Sequence, residues 1–423
     1  MLTVLLTIFS LGIIIGVPIA VALIIGVAGG LYVSKIPLLI ISQKMYTGID
    51  KFTLLAIPFF ILAGTIMQHG GMGKRLVRLA NAMVGHIAGG LGMVSVVASM
   101  FFGALTGSAP ATTAAVGGIT IPEMTKKNYD PSFSGALCAS AGILGVLIPP
   151  SIPLVLYGVT ANVSIVELFM GGIMPGVILG ILLMVTTYII AKKRGYRAEE
   201  REGLSEFWAA FKDSFLALLV PVIILGGIYG GIFTPTESGV VASVYALIIG
   251  TFVYKEITWE KLIKIAYDVA ENSATILLVV GAATLFGWIM TNQSVPQKLA
   301  QQILALSNSP VIVLFILNII FLITGMFMNQ GAAILILAPI LLPVVTQLGV
   351  DPTFYGVIMT MVLSIGQVTP PVSLTLFVAS RITGLKLEKL IPAVMPFLLT
   401  LIVGALVLTY LPDVVMLIPN LVK

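Results

Sequence analysis

Charge is scarce in this 423-residue chain: Asp, Glu, Lys and Arg together make up 9% of it. There is one cysteine, Cys138, and there are two histidines, His69 and His86. A single cysteine inside an apolar segment excludes a disulfide framework and a cysteine metal site, and two isolated histidines supply no metal-hydrolase motif. Apolar residues dominate instead, at 58% of the sequence and a mean hydropathy of +1.12. Too little polar surface remains to cover a soluble globule, so the chain reads as an all-α polytopic membrane protein. The net charge of +5 does not indicate nucleic acid, because the cations cluster in short loops such as Lys192, Lys193, Arg194 and Arg197, as cytoplasmic loops do. Residues 2–28 lack a basic n-region and read as a retained membrane segment, not a cleaved signal.

The apolar runs are interrupted in a particular way. One run breaks at Thr106, Gly107, Ser108, Ala109 and Pro110, and the next breaks at Pro149 and Pro150. A helix cannot pass through two prolines without losing backbone hydrogen bonds, and non-helical backbone at membrane depth is tolerated only where protein buries it or a cavity uses it. The pattern then recurs. An offset of 221 residues maps Pro122 onto Pro343, Asp130 onto Asp351, Pro131 onto Pro352, Phe133 onto Phe354, Gly135 onto Gly356, Gly145 onto Gly366, and Pro149–Pro150 onto Pro370–Pro371. Chance likeness of apolar segments would not hold these punctuation residues in one register, so the chain is internally duplicated.

Each copy is expected to hold a span, an interfacial run, a re-entrant hairpin and a split helix. In the first copy these are Thr53 to Gln68, Lys74 to Leu79, a hairpin with its tip at Thr106 to Pro110, and a helix split at Ile148 to Ser151. The second limb of that hairpin, Ala111 to Pro122, would rise only roughly 18 Å against a hydrocarbon core of about 30 Å. In the second copy the corresponding features are Ala274 to Met290, the run near Lys298, a tip at Met328 to Gly331 and a split at Thr369 to Pro371. Further spans are expected at Leu168 to Ala191, Phe215 to Phe233, Ser238 to Tyr254 and Leu390 to Leu411, with a charged, partly amphipathic run at Glu256 to Asp268 before the second copy. The opening stretch to Val33, with Pro18 in its middle, is either one kinked helix or two shorter ones. Between residues 69 and 131 stand Lys74, Arg75, Arg78, Lys126 and Lys127, whereas 292–352 carries only Lys298. That contrast places the first set of loops in the cytoplasm and the second outside, as inverted-topology repeats require.

No Lys or Arg occurs in 89–124, 132–191 or 309–380, and the carboxylates there are Glu123, Glu167 and Asp351, near segment ends. A proton-coupled carrier needs a protonatable side chain at depth, and none stands beside either break. The breaks offer carbonyls, helix-end amides and the oxygens of Thr106, Ser108, Ser151, Asn329, Thr369 and Ser373; Thr112 and Thr113, next to the first tip, read either as candidate substrate contacts or as helix-turn hydrogen bonds. Carbonyl and hydroxyl oxygens suit a hard monovalent cation and helix N-termini suit an anion, which points to sodium-coupled uptake of an organic anion. Glu237 reads as a structural N-cap or ion-pair residue. A membrane-embedded enzyme would need a buried nucleophile, acid–base pair or metal cluster, and no such constellation is evident.

The segments GILGVLIPPS (142–151), IPLVLYG (152–158), SIVELFMGGIMPG (164–176), TPTES (234–238), GMF (325–327) and IGQVTPP (365–371) resemble the large membrane subunit, DctM-like, of tripartite ATP-independent periplasmic (TRAP) transporters. The resemblance covers essentially the whole chain. It implies an elevator-type carrier in a bacterial inner membrane, working with a separate small four-helix membrane subunit (DctQ-like) and a soluble periplasmic binding protein (DctP-like) to import an organic acid with Na+. It implies one sodium site around Gly107, Ser108, Gly145 and Pro149, and another around Gly325, Asn329, Gly366 and Thr369. Substrate would lie between the tips, near Ser108, Thr112 and Asn329, with Thr113, Ser151 and Ser373 as further candidates. The expected division is 1–84 scaffold and interfacial arm, 85–191 first transport-domain half, 192–308 linker, scaffold and arm, and 309–423 second transport-domain half. The alternative within transport is a self-sufficient sodium–anion symporter that needs no binding protein.

Overall fold

Pro18 settles the reading of the opening stretch. The chain turns there, with Gly16 in the left-handed region, and forms two short helices, α1 (Leu2–Ile14) and α2 (Ile19–Val33). They fold back on each other, Gly26 and Gly30 giving α2 the close approach it makes to Leu5 and Met1. The computed structural model describes residues 1–196, 203–307 and 309–422, so Arg197 of the cationic loop and the middle of the polar stretch lie outside the described residues. Next come α3 (Leu39–Ile49) and α4 (Ala56–His69), the latter entered through a 3-10 turn at Phe52–Leu55.

The expected interfacial run is an amphipathic helix, α5 (Met72–Val84), which buries Met72, Leu76, Leu79 and Ala80. Its cations reach α12 (Leu204–Tyr229): Arg75 pairs with Asp213 at 3.1 Å, and Arg78 with Glu206 at 2.6 Å and Asp213 at 3.3 Å. Hydrogen bonding to Glu206 holds the Arg78 guanidinium above its ordinary pKa range. Arg75 also stacks 3.6 Å from the centre of the Tyr254 ring. These half-exposed pairs contribute modestly to stability, but they fix the arm to a neighbouring span.

The first copy continues as α6 (Gly90–Thr106), α7 (Ala109–Lys126), α8 (Pro131–Gly142), the single turn α9 (Leu144–Leu147), α10 (Ile152–Ala161) and α11 (Ile165–Arg194). After α12 come α13 (Pro235–Ile248), which ends in a π-type turn at Ile249–Val253, and α14 (Trp259–Asn292). The second copy continues as α15 (Val295–Leu306), α16 (Pro310–Phe327), α17 (Gln330–Gln347), α18 (Pro352–Gly366), α19 (Leu374–Thr383) and α20 (Leu387–Thr409), followed by α21 (Pro412–Val415) and α22 (Leu417–Val422). Eight helices are long and apolar enough to cross a membrane among the described residues, and the pair Pro131–Leu147 and Ile152–Ala161, bent by 41° at its break, passes the same test when the two are taken together.

Two expectations need correction. The second hairpin limb does not end at Pro122: α7 has 18 residues, roughly 27 Å. Packing against α8 and α19 holds the helix through the proline. Nor does the charged run stand ahead of a span that begins at Ala274. It forms the first part of the 34-residue α14, because Thr258 caps the helix and no glycine or proline interrupts it before Gly281. Glu237 completes a capping box with Thr234 at the start of α13, with hydrogen bonds of 2.8 Å from both the amide and the hydroxyl of Thr234.

The two copies interlock. The limb after the first break, α10, packs on α17 and α18 of the second copy, while its counterpart α19 packs on α7 and α8 of the first. The duplicated Gly135 and Gly356 make these contacts possible, lying against Ala379 and Thr383 and against the Tyr157 ring respectively. The Tyr157 hydroxyl donates to the Pro352 carbonyl at 2.8 Å, which ties the first break's outer limb to the start of α18. Between the start of α4 and the start of α14 the chain crosses an odd number of times, namely at α4, the split helix, α11, α12 and α13, because a hairpin adds an even number however deep its tip reaches. The copies therefore run in opposite senses.

A side chain at Gly356 would displace the Tyr157 ring, so Gly356→Val should cost about 1–3 kcal/mol by overpacking. Gly118, with open space beside it, should accept alanine without loss. Thermal unfolding of the two variants in detergent checks this: equal transitions would mean that the copies do not interlock at Gly356.

Candidate functional site

At the first tip α6 ends on Gly107, in the left-handed region at φ 59°, and Ser108 is extended before Ala109 starts α7, with Pro110 in its first turn. A Cβ at Gly107 would come within 2.9 Å of the Pro150 carbonyl oxygen, so tip and break touch, and only glycine fits. The break itself follows from the prolines. Pro149 and Pro150 carry no N–H, so the carbonyls of Gly145 and Val146 receive no helical hydrogen bond from them. Pro370 and Pro371 do the same to Gly366 and Gln367 in the second copy. Both Pro–Pro bonds are cis. In each copy a glycine of the hairpin's first limb lets the broken helix approach: Gly103 stands against Gly145, and Gly325 against Gly366.

The second tip is organised by amides. Asn329 caps α17, its Oδ1 accepting from the Gly331 amide at 2.9 Å. Gln330 is buried; its Nε2 donates to the Thr360 carbonyl at 2.8 Å and to Ser364 Oγ at 2.9 Å. Gln367, at the start of the second break, donates through Nε2 to Gln330 Oε1 at 3.0 Å. Tip and break of the second copy are thus joined by side chains where those of the first are joined by backbone. Three oxygens near this break, Gln367 Oε1, Thr360 Oγ1 and Ser373 Oγ, are buried without a hydrogen-bond partner. Buried oxygens left in that state favour a bound cation or water.

Both tips and both breaks meet at one cavity of about 700 Å³. Gly107, Ser108 and Pro110 face it from the first tip, Asn329, Gln330 and Gly331 from the second, and Val146, Ile152 and Gln367 from the breaks. The opposite wall is α14, through Asn272, Thr275 and Ile276, with the start of α2 at Pro18 and Ile19. None of the lining residues is charged. Of the sequence-derived candidates, Gly107, Ser108 and Asn329 line the cavity. The others lie just behind it. The Thr112 hydroxyl pairs with that of Thr106 at 2.7 Å, and Thr113 donates to the Ala109 carbonyl at 2.9 Å. Ser151 caps α10, Thr369 donates to the Ile365 carbonyl at 2.7 Å, and Ser373 is buried in a left-handed conformation. Gly145, Pro149, Gly325 and Gly366 form the backbone crossings described above. Sequence reasoning passed over Gln330, Gln367, Asn272 and Thr275. A glutamine in each of two apolar runs beside a break was the available signal for the first pair; Asn272 and Thr275 carry none, since only packing brings α14 to the tips.

An inverted pair of broken helices meeting at one uncharged cavity defines a membrane transport protein of the secondary-carrier class. Comparison with known proteins is more specific. The chain matches the family described as "Tripartite ATP-independent periplasmic transporter, DctM component" over residues 5–414, and it belongs to that family. It is 45% identical over 410 residues to the isethionate TRAP transporter permease protein DctMQ of Oleidesulfovibrio alaskensis, covering 96% of this chain and 65% of that protein's length. It is 42% identical to the C4-dicarboxylate TRAP transporter large permease protein DctM of Pseudomonas aeruginosa and 41% identical to the sialic acid TRAP transporter large permease protein SiaM of Vibrio cholerae, in each case over 90% of this chain and 89% of the relative. The fold resembles the crystal structure of the Alcanivorax borkumensis YdaH transporter, with a TM-score of 0.63 at 17% identity, covering 88% and 87% of the two chains. The chain is a multi-span inner-membrane permease protein, not an enzyme.

Replacing Gln367 by leucine would leave Gln330 Oε1 without its donor, at a cost of about 1–3 kcal/mol. Gln367→Leu should therefore lower the thermal transition and raise amide hydrogen exchange over residues 326–334 while leaving the first tip unchanged. Unaltered exchange at the second tip would mean that the amide pair does not hold it.

Proposed function

We propose that this chain is the permease subunit of a sodium-coupled importer of a small organic anion, receiving its cargo from a periplasmic binding protein and acting with a small membrane subunit. The observation that carries the reading is the uncharged cavity walled by both tips and both breaks. An anion there is recognised by helix N-terminal amides and hydroxyls, and its charge is balanced by sodium ions held as co-substrate at the breaks. The first ion is assigned to the region of Gly107, Ser108, Gly145 and Pro149, where prolines free the carbonyls of the broken turn. The second is assigned to Gly325, Asn329, Gly366 and Thr369, beside the partnerless oxygens of Gln367 and Ser373. Ser108 and Asn329 hold the anion from opposite tips; Thr112, Thr113, Ser151 and Ser373 position the backbone around it. The relatives are named for isethionate, C4-dicarboxylates and sialic acid, all anions of the class such a site accepts.

Residues 85–191 and 309–423 are the two halves of the moving unit, which carries the cavity past a scaffold that includes α14 and α2. An elevator of this kind fits the division between a wall of tips and breaks and a wall of ordinary helices.

The test is uptake into proteoliposomes with an imposed inward sodium gradient, offering succinate, a sialic acid and isethionate, and omitting the candidate small subunit and binding protein in turn. Accumulation of at least one anion should need sodium and all three proteins. Ser108→Ala should raise the half-saturating sodium or anion concentration roughly tenfold, as loss of a hydrogen bond to a charged group does. Accumulation by this chain alone would favour a self-sufficient symporter, and accumulation driven by a pH gradient without sodium would contradict the coupling.

A further inference from the structure

A second cavity, of about 350 Å³, lies in tandem with the first along the same three helices. On α10 the first cavity is lined by Ile152, Pro153 and Leu156 and the second by Leu156, Val159 and Thr160. On α17 the division falls at Leu335, and on α14 it falls between Val279 and Val280. Leu156 and Leu335 line both, so they form the partition. The remaining wall is α3 and the turn after it, which bring Lys44 and Lys51. The charge asymmetry and the crossing count together put this end of α14 on the periplasmic side, so the second cavity is the outer one.

Its chemistry differs from that of the inner cavity. Lys44 and Lys51 are its charged lining residues, and no acidic side chain faces them from α3, α10, α14 or α17. Lys44 Nζ lies 5.4 Å from the centre of the Trp288 ring, and Lys51 Nζ donates to the Val159 carbonyl at 3.3 Å. Both side chains line the concavity, Lys44 half-buried and Lys51 exposed, and neither is ion-paired among the described residues.

We propose that this outer cavity is a distinct anion site, in which Lys44 and Lys51 capture a small carboxylate or sulfonate from the periplasmic side before it reaches the uncharged cavity between the tips. The proposal deepens the reading of the chain as an anion importer and rests on it for its purpose, but the site can be measured without transport. Two ammonium groups in a recess concentrate anions and speed their arrival, an effect that weakens as salt is added. The inner cavity gains in return: it can release its cargo because it holds no fixed positive charge.

The experiment uses the full chain with Trp208 and Trp259 replaced by phenylalanine, so that Trp288 alone reports. Its fluorescence is titrated with succinate and with isethionate, using uncharged succinamide as the control. A saturable change with at least one of the anions, absent with succinamide and weakening with added salt, is expected. Lys44→Gln with Lys51→Gln should raise the half-saturating concentration about tenfold, and Lys44→Arg with Lys51→Arg should restore it, which separates lost charge from misfolding. No saturable change with either anion, equal affinity in the glutamine variant, or a response confined to anionic phospholipid would overturn the proposal. Transport separates this from the main reading. Uptake that persists in the glutamine variant at high anion concentration, with KM raised and maximal rate kept, supports an outer capture site on a working importer. A saturable Trp288 response in a protein that imports no anion would keep the site and remove the importer.

Discussion

A polypeptide that breaks its helices inside a membrane must satisfy the freed backbone groups with protein, because hydrocarbon offers no partner. That requirement organises this molecule. Pro149–Pro150 and Pro370–Pro371 each open a helix, and each break is covered by the tip of its own hairpin and braced by the other copy. Glycine permits both halves of the arrangement. Gly103 with Gly145 and Gly325 with Gly366 let the backbones cross within a copy, whereas Gly135 and Gly356 admit the limb that arrives from the opposite copy. The duplicated positions are therefore those at which a side chain would keep the backbones apart.

Covering the breaks leaves a gap where the two tips face α14, and this gap is the inner cavity. Its lack of charge follows from its position, since an uncompensated ionised group at that depth would cost more than the surrounding packing returns. Only partial charges line it: helix-end amides, which suit an anion, and carbonyls and hydroxyls, which suit a cation. Full charges stand at the edges instead, in the clamp of Arg75 and Arg78 on Asp213 and Glu206, and in the outer recess that holds Lys44 and Lys51.

Much of this was legible in the residues. Proline pairs, the run Thr106 to Pro110 at the first tip and the shared register of the copies mark the breaks without any structure, and the distribution of lysine and arginine orients them. What was not legible depends on tertiary support. Pro122, Pro175 and Pro339 are as visible in the sequence as Pro149, yet the helices run through them because neighbouring segments stabilise the local defect. For Thr112 and Thr113 the sequence left substrate contact and helix-turn bonding open, and the packing decides it: their hydroxyls find partners within the hairpin. The Gln330–Gln367 pair spans two segments whose contact no local pattern encodes.

The central claim is that one ligand is held by both tips at once, and cysteine protection measures it directly. Cys138, the native thiol, is buried, so Ser108→Cys and Asn329→Cys can each be labelled with a small maleimide against a quiet background. The transported anion together with sodium should slow labelling at both positions over the same concentration range. Protection of one tip alone, or of neither while transport proceeds, would contradict a shared site between them.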